Sequence, residues 1–208
     1  MMWEPSARIG STHMGPSRDE RTPTSESYLR TSTIGELTPL AAPILLVEYD
    51  PHWPDRFQCE AQRISAALGK HALRVEHVGS TSVPGLTAKP IIDILLVVAD
   101  SSQEREYVPA LETAGYQLRI REPGWYEHRM LTGADGDVNL HVFSADCAEV
   151  ERMVTFRDWL RASAEDRDVY ARSKRALAQK EWKYTQNYAD AKTAVIEQIM
   201  GKARRAAH

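Results

Sequence analysis

The segment PIIDILLVV, residues 90–98, constrains the fold of this chain more than any other stretch. Aliphatic and β-branched residues in a row broken only by Asp93, opened by a proline, mark a strand of a sheet that helices cover. The full apolar run, Ile91–Ala99, is far shorter than the about 20 residues that cross a bilayer, and Asp93 interrupts it. No membrane segment is expected, and a sheet packed between layers is. The same run raises a chemical question, since a carboxylate among Ile and Leu is costly unless it is paired or holds a cation.

Flanking segments supply partners for that strand. LRVEHV, YQLRI and DVNLHVF are apolar or β-branched and bounded by turn residues, and ILLVEY reads as a further short strand. Pro51 and Pro54 impose extended or turn geometry and admit a helix only from about Pro54. There Phe57, Ala61, Ile64 and Leu68 form a stripe that Gly69 can end. VPALETAGY reads as a second helix ending near Gly115. In the C-terminal third the period becomes helical, with Met153, Phe156, Trp159 and Leu160 in one stripe and Tyr184, Tyr188, Ala191, Val195 and Ile199 in another. The resulting class is α/β in the broad α+β sense, a mixed sheet with C-terminal packing helices.

Composition divides the 208 residues. In residues 1–43, Ser, Thr, Pro and Gly fill 20 of 43 positions, which predicts a flexible or loosely docked arm. That arm includes GSTHMGP, which resembles a cloning scar but lies inside the chain, and it lacks the apolar core of a secretory signal. Residues 44–200 form one domain, and GKARRAAH, residues 201–208, reads as a helix stop followed by a solvated basic tail. A formal charge of −3 supplies no general attraction for nucleic acid. Cys59 and Cys147 lack the spacing of a zinc site or a disulfide framework and read as thiols of a reducing cytoplasm. A homo-oligomer is compatible with this composition and not specified by it.

The densest chemical signal surrounds the apolar strand. Backbone amides near Gly79, Ser80 and Thr81 can wrap a phosphate, and Lys89 can add a point charge. Neither GxxxxGK[ST] nor GxGxxG is present, and the bland alternative is a tight turn with Asp93 accepting loop amides. In DVNLHVF, strand alternation puts Asp137, Asn139 and His141 on one face. Asp137 can then join Asp93 at a metal, and His141 can bind metal, contact phosphate or act as a base. The competing reading is an edge strand with one wet side. Arg121, Trp125, Tyr126, His128 and Arg129 form a basic and aromatic cluster suited to a nucleobase and its phosphates, with core packing as the alternative for the aromatics. Glu76 and His77 fall on opposite strand faces, so a structural salt bridge is the default for one of them. Lys174, Lys180, Lys183 and Lys192 offer further phosphate contacts, while Arg157 and Asp158 suit an internal bridge.

Five segments, YDPHWPDRF, EHVGSTSVPGLTAKPIIDILLVV, DVNLHVF, FRDWLR and YADAK, stand in order across about residues 45–199. Together they resemble the GrpB-like family, whose members have a polymerase-beta-like nucleotidyltransferase fold. In that superfamily a GS pair precedes an Asp-x-Asp strand that holds Mg²⁺ with a third carboxylate. The resemblance maps Gly79 and Ser80 onto the GS pair, Asp93 onto one acidic position and Lys192 onto YADAK. Ile91 and Leu95 flank Asp93, so the second carboxylate of the pair is absent.

The reading taken forward is a Mg²⁺-dependent nucleotidyltransferase that moves a nucleotidyl group from an NTP to a small-molecule acceptor. Asp93 and His141 are its catalytic candidates, and Asp93 and Asp137 its metal ligands. Gly79, Ser80, Thr81, Lys89, Arg129 and Lys192 are its phosphate contacts. The alternatives are a non-catalytic nucleotide sensor or protein-interaction module, and another transferase or hydrolase acting on a small phosphorylated metabolite.

Overall fold

The computed structural model describes residues 24–206. Among them, five strands form one mixed sheet: β1 (Arg74–Val78), β2 (Ile92–Val98), β3 (Tyr116–Glu122), β4 (His128–Gly133) and β5 (Val138–Ser144). Their spatial order is β1-β2-β5-β4-β3. The β2–β5 pair is parallel and the other pairs are antiparallel. The apolar run is thus an inner strand, as its composition requires.

Each face of the sheet has its own cover. On one, Ile92, Ile94, Leu96, Leu131, Val138, Leu140 and Val142 pack under α2 (Trp53–Leu68) and α3 (Val108–Thr113). On the other, Val78, Leu95, Val97 and Phe143 meet Val150 and Val154 of α4 (Ala148–Ala162). A third cluster joins Val83 and Leu86, from the loop after β1, to Leu160 of α4, Tyr170 and Ala171 of α5 (Ala164–Ala178) and Ile199 of α7 (Thr193–Ala206). Burying a large aliphatic side chain contributes about 1.5–3 kcal/mol, so Val83 and Leu86 anchor the loop to the C-terminal helices.

Several expectations change. ILLVEY forms no strand; Val47 and Ala88 exchange two backbone hydrogen bonds of 2.8 and 2.9 Å in an isolated bridge. Strand β4, HRMLTG, lay hidden in the basic and aromatic cluster, because its alternation mixes charged with apolar side chains on both faces. The β3–β4 turn is equally concealed, since Tyr126 and Glu127 adopt positive φ (53° and 50°) without a glycine. The long C-terminal stripe divides into α6 (Thr185–Asp190) and α7, and α7 continues through Gly201 to Ala206 instead of stopping there.

The expected arm contains a short helix, α1 (Glu26–Ser32), where it enters the described region. Ser25 caps it by accepting from the Tyr28 amide at 3.2 Å, and Leu29 is buried. Ile34 N–H donates to Arg119 O at 2.8 Å, and Thr24 N–H donates to Asp190 at 2.7 Å, so residues 24–34 lie against β3 and α6. The earlier part of the arm, with GSTHMGP, lies outside the described residues. Cys59 and Cys147 are free thiols. No helix among the described residues is long and apolar enough to cross a membrane.

Candidate functional site

The turn after β1 is shaped around Asp93. Val78 stands opposite Asp93 across the β1–β2 pair, and Gly79 follows with φ +68°. A Cβ on Gly79 would fall 2.3 Å from Asp93 Oδ2, so both the backbone conformation and the close approach require glycine. Hydroxyls then fasten the turn. Ser82 donates to Gly79 O at 2.6 Å, and Thr81 donates to Ile91 O at 3.1 Å. The Thr81 proton is thereby committed, so its oxygen accepts from His77 Nε2, 3.1 Å away. His77 stacks on Phe57 at 4.8 Å, and burial pushes its pKa down to about 4, which keeps the ring neutral.

From Asp93 a row of polar side chains crosses the sheet one strand at a time. Asn139 on β5 donates to Asp93 Oδ1 at 2.9 Å, and His141 Nε2 lies 3.9 Å from the same oxygen. His141 Nδ1 is 3.1 Å from His128 Nε2 on β4, and His128 Nδ1 is 2.7 Å from Glu122 Oε2 on β3. The imidazoles stack at 5.3 Å. Burial by itself raises the Asp93 pKa, but His141, Asn139 and Lys89 outweigh it and hold the carboxyl below its ordinary value. Asp93 is therefore an anion, joined through two imidazoles to a buried glutamate.

Three lysines approach from outside the sheet. Lys89 precedes β2, Lys174 projects from α5, and Lys192 sits at the break between α6 and α7. Burial lowers the pKa of each, and proximity to Asp93 works in the opposite sense for all three. Lys192 adds repulsion to both Lys89 and Lys174, and Lys174 falls to about 7. The Lys174 ammonium donates to Thr87 O and lies 4.9 Å over the Tyr170 ring, while Lys192 lies 4.7 Å over Tyr188. The Tyr188 hydroxyl is buried with no hydrogen-bond partner among the described residues, and burial pushes its pKa up to about 12, so it remains a donor.

These groups line one cavity of about 590 Å³, a size suited to a small organic ligand. Gly79, Ser80, Thr81, Lys89, Lys192, Asp93 and His141, all expected at a site, are brought together there. Lys174 and Tyr188 join them from the C-terminal helices, and Leu29 and Ser32 of α1 contribute a wall. Trp125 and His128 also line the cavity, while Trp125 and Tyr126 pack against the core cluster of Val78, Leu95 and Phe143, the alternative weighed for the aromatics. Glu122 escaped notice in the sequence because its only signal was the alternation of an unrecognised hairpin.

Two expected residues are placed elsewhere. Asp137 precedes β5 and pairs with Arg56 of α2, the helix on the opposite face, so it does not join Asp93. Arg129 alternates with His128 and turns to the α2–α3 side. There its side chain, 5% exposed, meets Glu104 at 2.5 Å and Glu127 at 3.1 Å. Arg121 is likewise bound to Glu104, and Lys183 to Glu26. A Mg²⁺ centre of the Asp-x-Asp kind does not fit this donor set. Of the carboxylates that line the cavity, Glu122 is bound to His128 and Glu149 to Arg152, which leaves Asp93 where two or three are needed, and no group of three His, Cys, Asp or Glu side chains suited to a metal occurs among the described residues.

Comparison with known proteins places the geometry in a wider setting. The family model described as GrpB protein matches residues 43–202. A UPF0157 protein of Halalkalibacterium halodurans is 59% identical over 192 residues, covering 91% of this chain and 98% of that protein. The solved structure of the GrpB protein from Enterococcus faecalis superposes with a TM-score of 0.69 at 33% identity, over 78% of this chain and 98% of the other. A protein of Mycolicibacterium paratuberculosis named dephospho-CoA kinase is 31% identical over 165 residues, 67% of this chain and 40% of its own length.

Proposed function

This chain belongs to the GrpB family, and from that premise we propose that its cavity binds a phosphorylated nucleotide and transfers the nucleotidyl group to a small-molecule acceptor. The observation that carries this reading is the convergence of the buried Lys174, the half-buried Lys89 and Lys192 and the Gly79–Thr81 turn on a carboxylate beside an imidazole. Glu122 and Glu149, which also line the cavity, are taken up by His128 and Arg152, so Lys89 and Lys192, joined by Lys174 once it is protonated, leave positive charge beside Asp93 for a polyanion, and low-dielectric walls strengthen it.

Catalysis in such a site comes from alignment and charge neutralisation. An acceptor hydroxyl attacks the α-phosphorus, the bond to the pyrophosphate oxygen breaks, and the hydroxyl proton passes to His141 Nε2. Asp93, 3.9 Å from that nitrogen, stabilises the imidazolium that results, while His128 and Glu122 hold the other nitrogen and orient the ring. Lys89, Lys174 and Lys192 neutralise charge on the phosphates and the departing pyrophosphate. A reducing cytoplasm suits the two free thiols.

One observation favours a non-catalytic nucleotide sensor instead: Ile91 and Leu95 stand beside Asp93 and Asp137 is bound to Arg56, so the acidic set is incomplete. Calorimetry with the nucleoside triphosphates, and with adenine nucleotides and coenzyme A precursors chosen because of the relative named dephospho-CoA kinase, tests the shared premise of binding. Pyrophosphate release with a panel of acceptors, with and without Mg²⁺, separates enzyme from sensor. Asp93→Asn is expected to abolish turnover while changing the melting temperature little. No heat and no melting shift with any nucleotide, with or without Mg²⁺, would remove the basis of both readings.

A further inference from the structure

Two of the sequence segments singled out above, YDPHWPDRF and FRDWLR, contribute nothing to the cavity at Asp93. Both instead line a second cavity, of about 430 Å³, behind the Gly79–Ser82 turn. Its aromatic side is Tyr49, Phe57 and the neutral ring of His77, which stacks on Phe57 with an interplanar angle of 10°. Its charged side is Arg157, Arg161 and Arg167.

The arginines are unequally satisfied. Arg157 is 9% exposed and fully engaged, meeting Glu76 at 2.7 Å, His77 O at 3.1 Å and both oxygens of Asp158 at 2.7 and 3.2 Å. Glu76 is shared with Arg74, so neither carboxylate is left over. Arg161 donates through Nε to Ser82 O at 3.0 Å and otherwise reaches only Asp158, at 3.5 Å. Arg167 donates only to the carbonyls of Leu160 and Arg161, at 3.2 and 3.4 Å. A guanidinium carries five N–H donors in a planar fork, so both groups keep donors with no acceptor among the described residues. Burial, followed by the charge of Arg157, depresses the pKa of Arg161, as expected for cations crowded without enough counter-charge.

We infer that this second cavity is an anion site for a phosphate monoester bearing a planar ring, with Arg161 and Arg167 on the phosphate and the ring against Tyr49, Phe57 and His77. Two incompletely paired guanidinium groups match a dianionic phosphate, which they can engage through paired N–H donors. The cavity volume suits a mononucleotide. The site is separate from the Asp93 cavity but linked to it, because His77 forms part of its wall and also holds Thr81, which faces the other cavity. The inference does not depend on nucleotidyl transfer.

Titration calorimetry of the full chain with AMP tests it, using ribose 5-phosphate and inorganic phosphate as ring-free probes. AMP is expected to bind more tightly than either. Arg161→Gln/Arg167→Gln is expected to weaken AMP by about tenfold or more, the usual loss for a charge-assisted hydrogen bond to phosphate. Lys89→Gln/Lys192→Gln, in the other cavity, should leave this binding within about twofold. Arg167→Gln alone guards against a folding defect, because that side chain touches only backbone carbonyls, and it should reproduce most of the loss at an unchanged melting temperature. Loss confined to the lysine variant would overturn the inference, since AMP would then occupy the Asp93 cavity. Absence of AMP binding to the wild-type chain would overturn it equally.

Discussion

Replacing Tyr188 by Phe removes one oxygen and should make the ligand-free protein more stable. Tyr188 is 2% exposed and lines the Asp93 cavity, and its buried hydroxyl has no protein partner among the described residues. A buried polar group left without a hydrogen bond costs about 1–3 kcal/mol, and the phenyl ring keeps the packing and the face beneath Lys192. For a chain of this size 1 kcal/mol corresponds to about 2–4 °C, so the variant is expected to melt about 2–12 °C higher in calorimetry or circular dichroism. Ligand binding should move the other way. If the hydroxyl donates to a phosphate oxygen, a bond worth about 1.5–3 kcal/mol, the nucleotide that most stabilises the wild type should bind Tyr188→Phe about 10–150-fold more weakly. Stability lost to an unmet donor in the ligand-free protein and regained in the complex identifies a ligand-facing group. A lower melting temperature without ligand, or equal affinity in both proteins, would refute the reasoning.

Other consequences follow from neighbouring geometry. Gly79→Ala places a methyl 2.3 Å from Asp93 Oδ2, and the backbone at φ +68° and ψ −171°, a region essentially confined to glycine, alone costs about 1–3 kcal/mol. Urea denaturation should show a larger loss than that, accompanied by weakened nucleotide binding. Asp137→Asn breaks a half-exposed ion pair with Arg56 on the far face, so a stability change within about 1 kcal/mol is expected. Nucleotide affinity should be unchanged, and a large loss of affinity would restore Asp137 to the site. Lys174 has a folded-state pKa of about 7, below its ordinary value of 10.5, so between those values the unfolded chain binds more protons and this group makes stability rise with pH. A bound polyanion raises the lysine pKa again. Calorimetry at pH 8 in buffers of different ionisation enthalpy should therefore record proton uptake on binding, and Lys174→Met should abolish that uptake.

The strongest local patterns were legible without coordinates. A β-branched and aliphatic run of strand length opened by a proline suits a sheet, and a stripe at spacings of 4, 3 and 4 buries one face of a helix, so β2 and α2 are where they were expected. The Gly79-Ser80 pair and Asp93 announced a site for the same reason: a charge in an apolar strand and a glycine before it are locally expensive choices. Strand β4 was not legible, because His128 and Arg129 are tolerated in a strand only through carboxylates on other elements, Glu122 and Glu104.

What tertiary structure alone decided is which charges meet. Alternation assigned Asp137 to the face of Asn139 and His141, but that rule ends where β5 begins, at Val138, and Arg56 draws the preceding carboxylate across to α2. Lys174 and Lys192, about 80 and 100 residues beyond Asp93 in sequence, reach the cavity only because α5 and α7 pack on the loop after β1. Sequence fixes the period of each element and hence its faces. The pairing of side chains from separate elements depends on how those faces dock, and there electrostatic partners 81 residues apart, such as Arg56 and Asp137, are selected by distance in space.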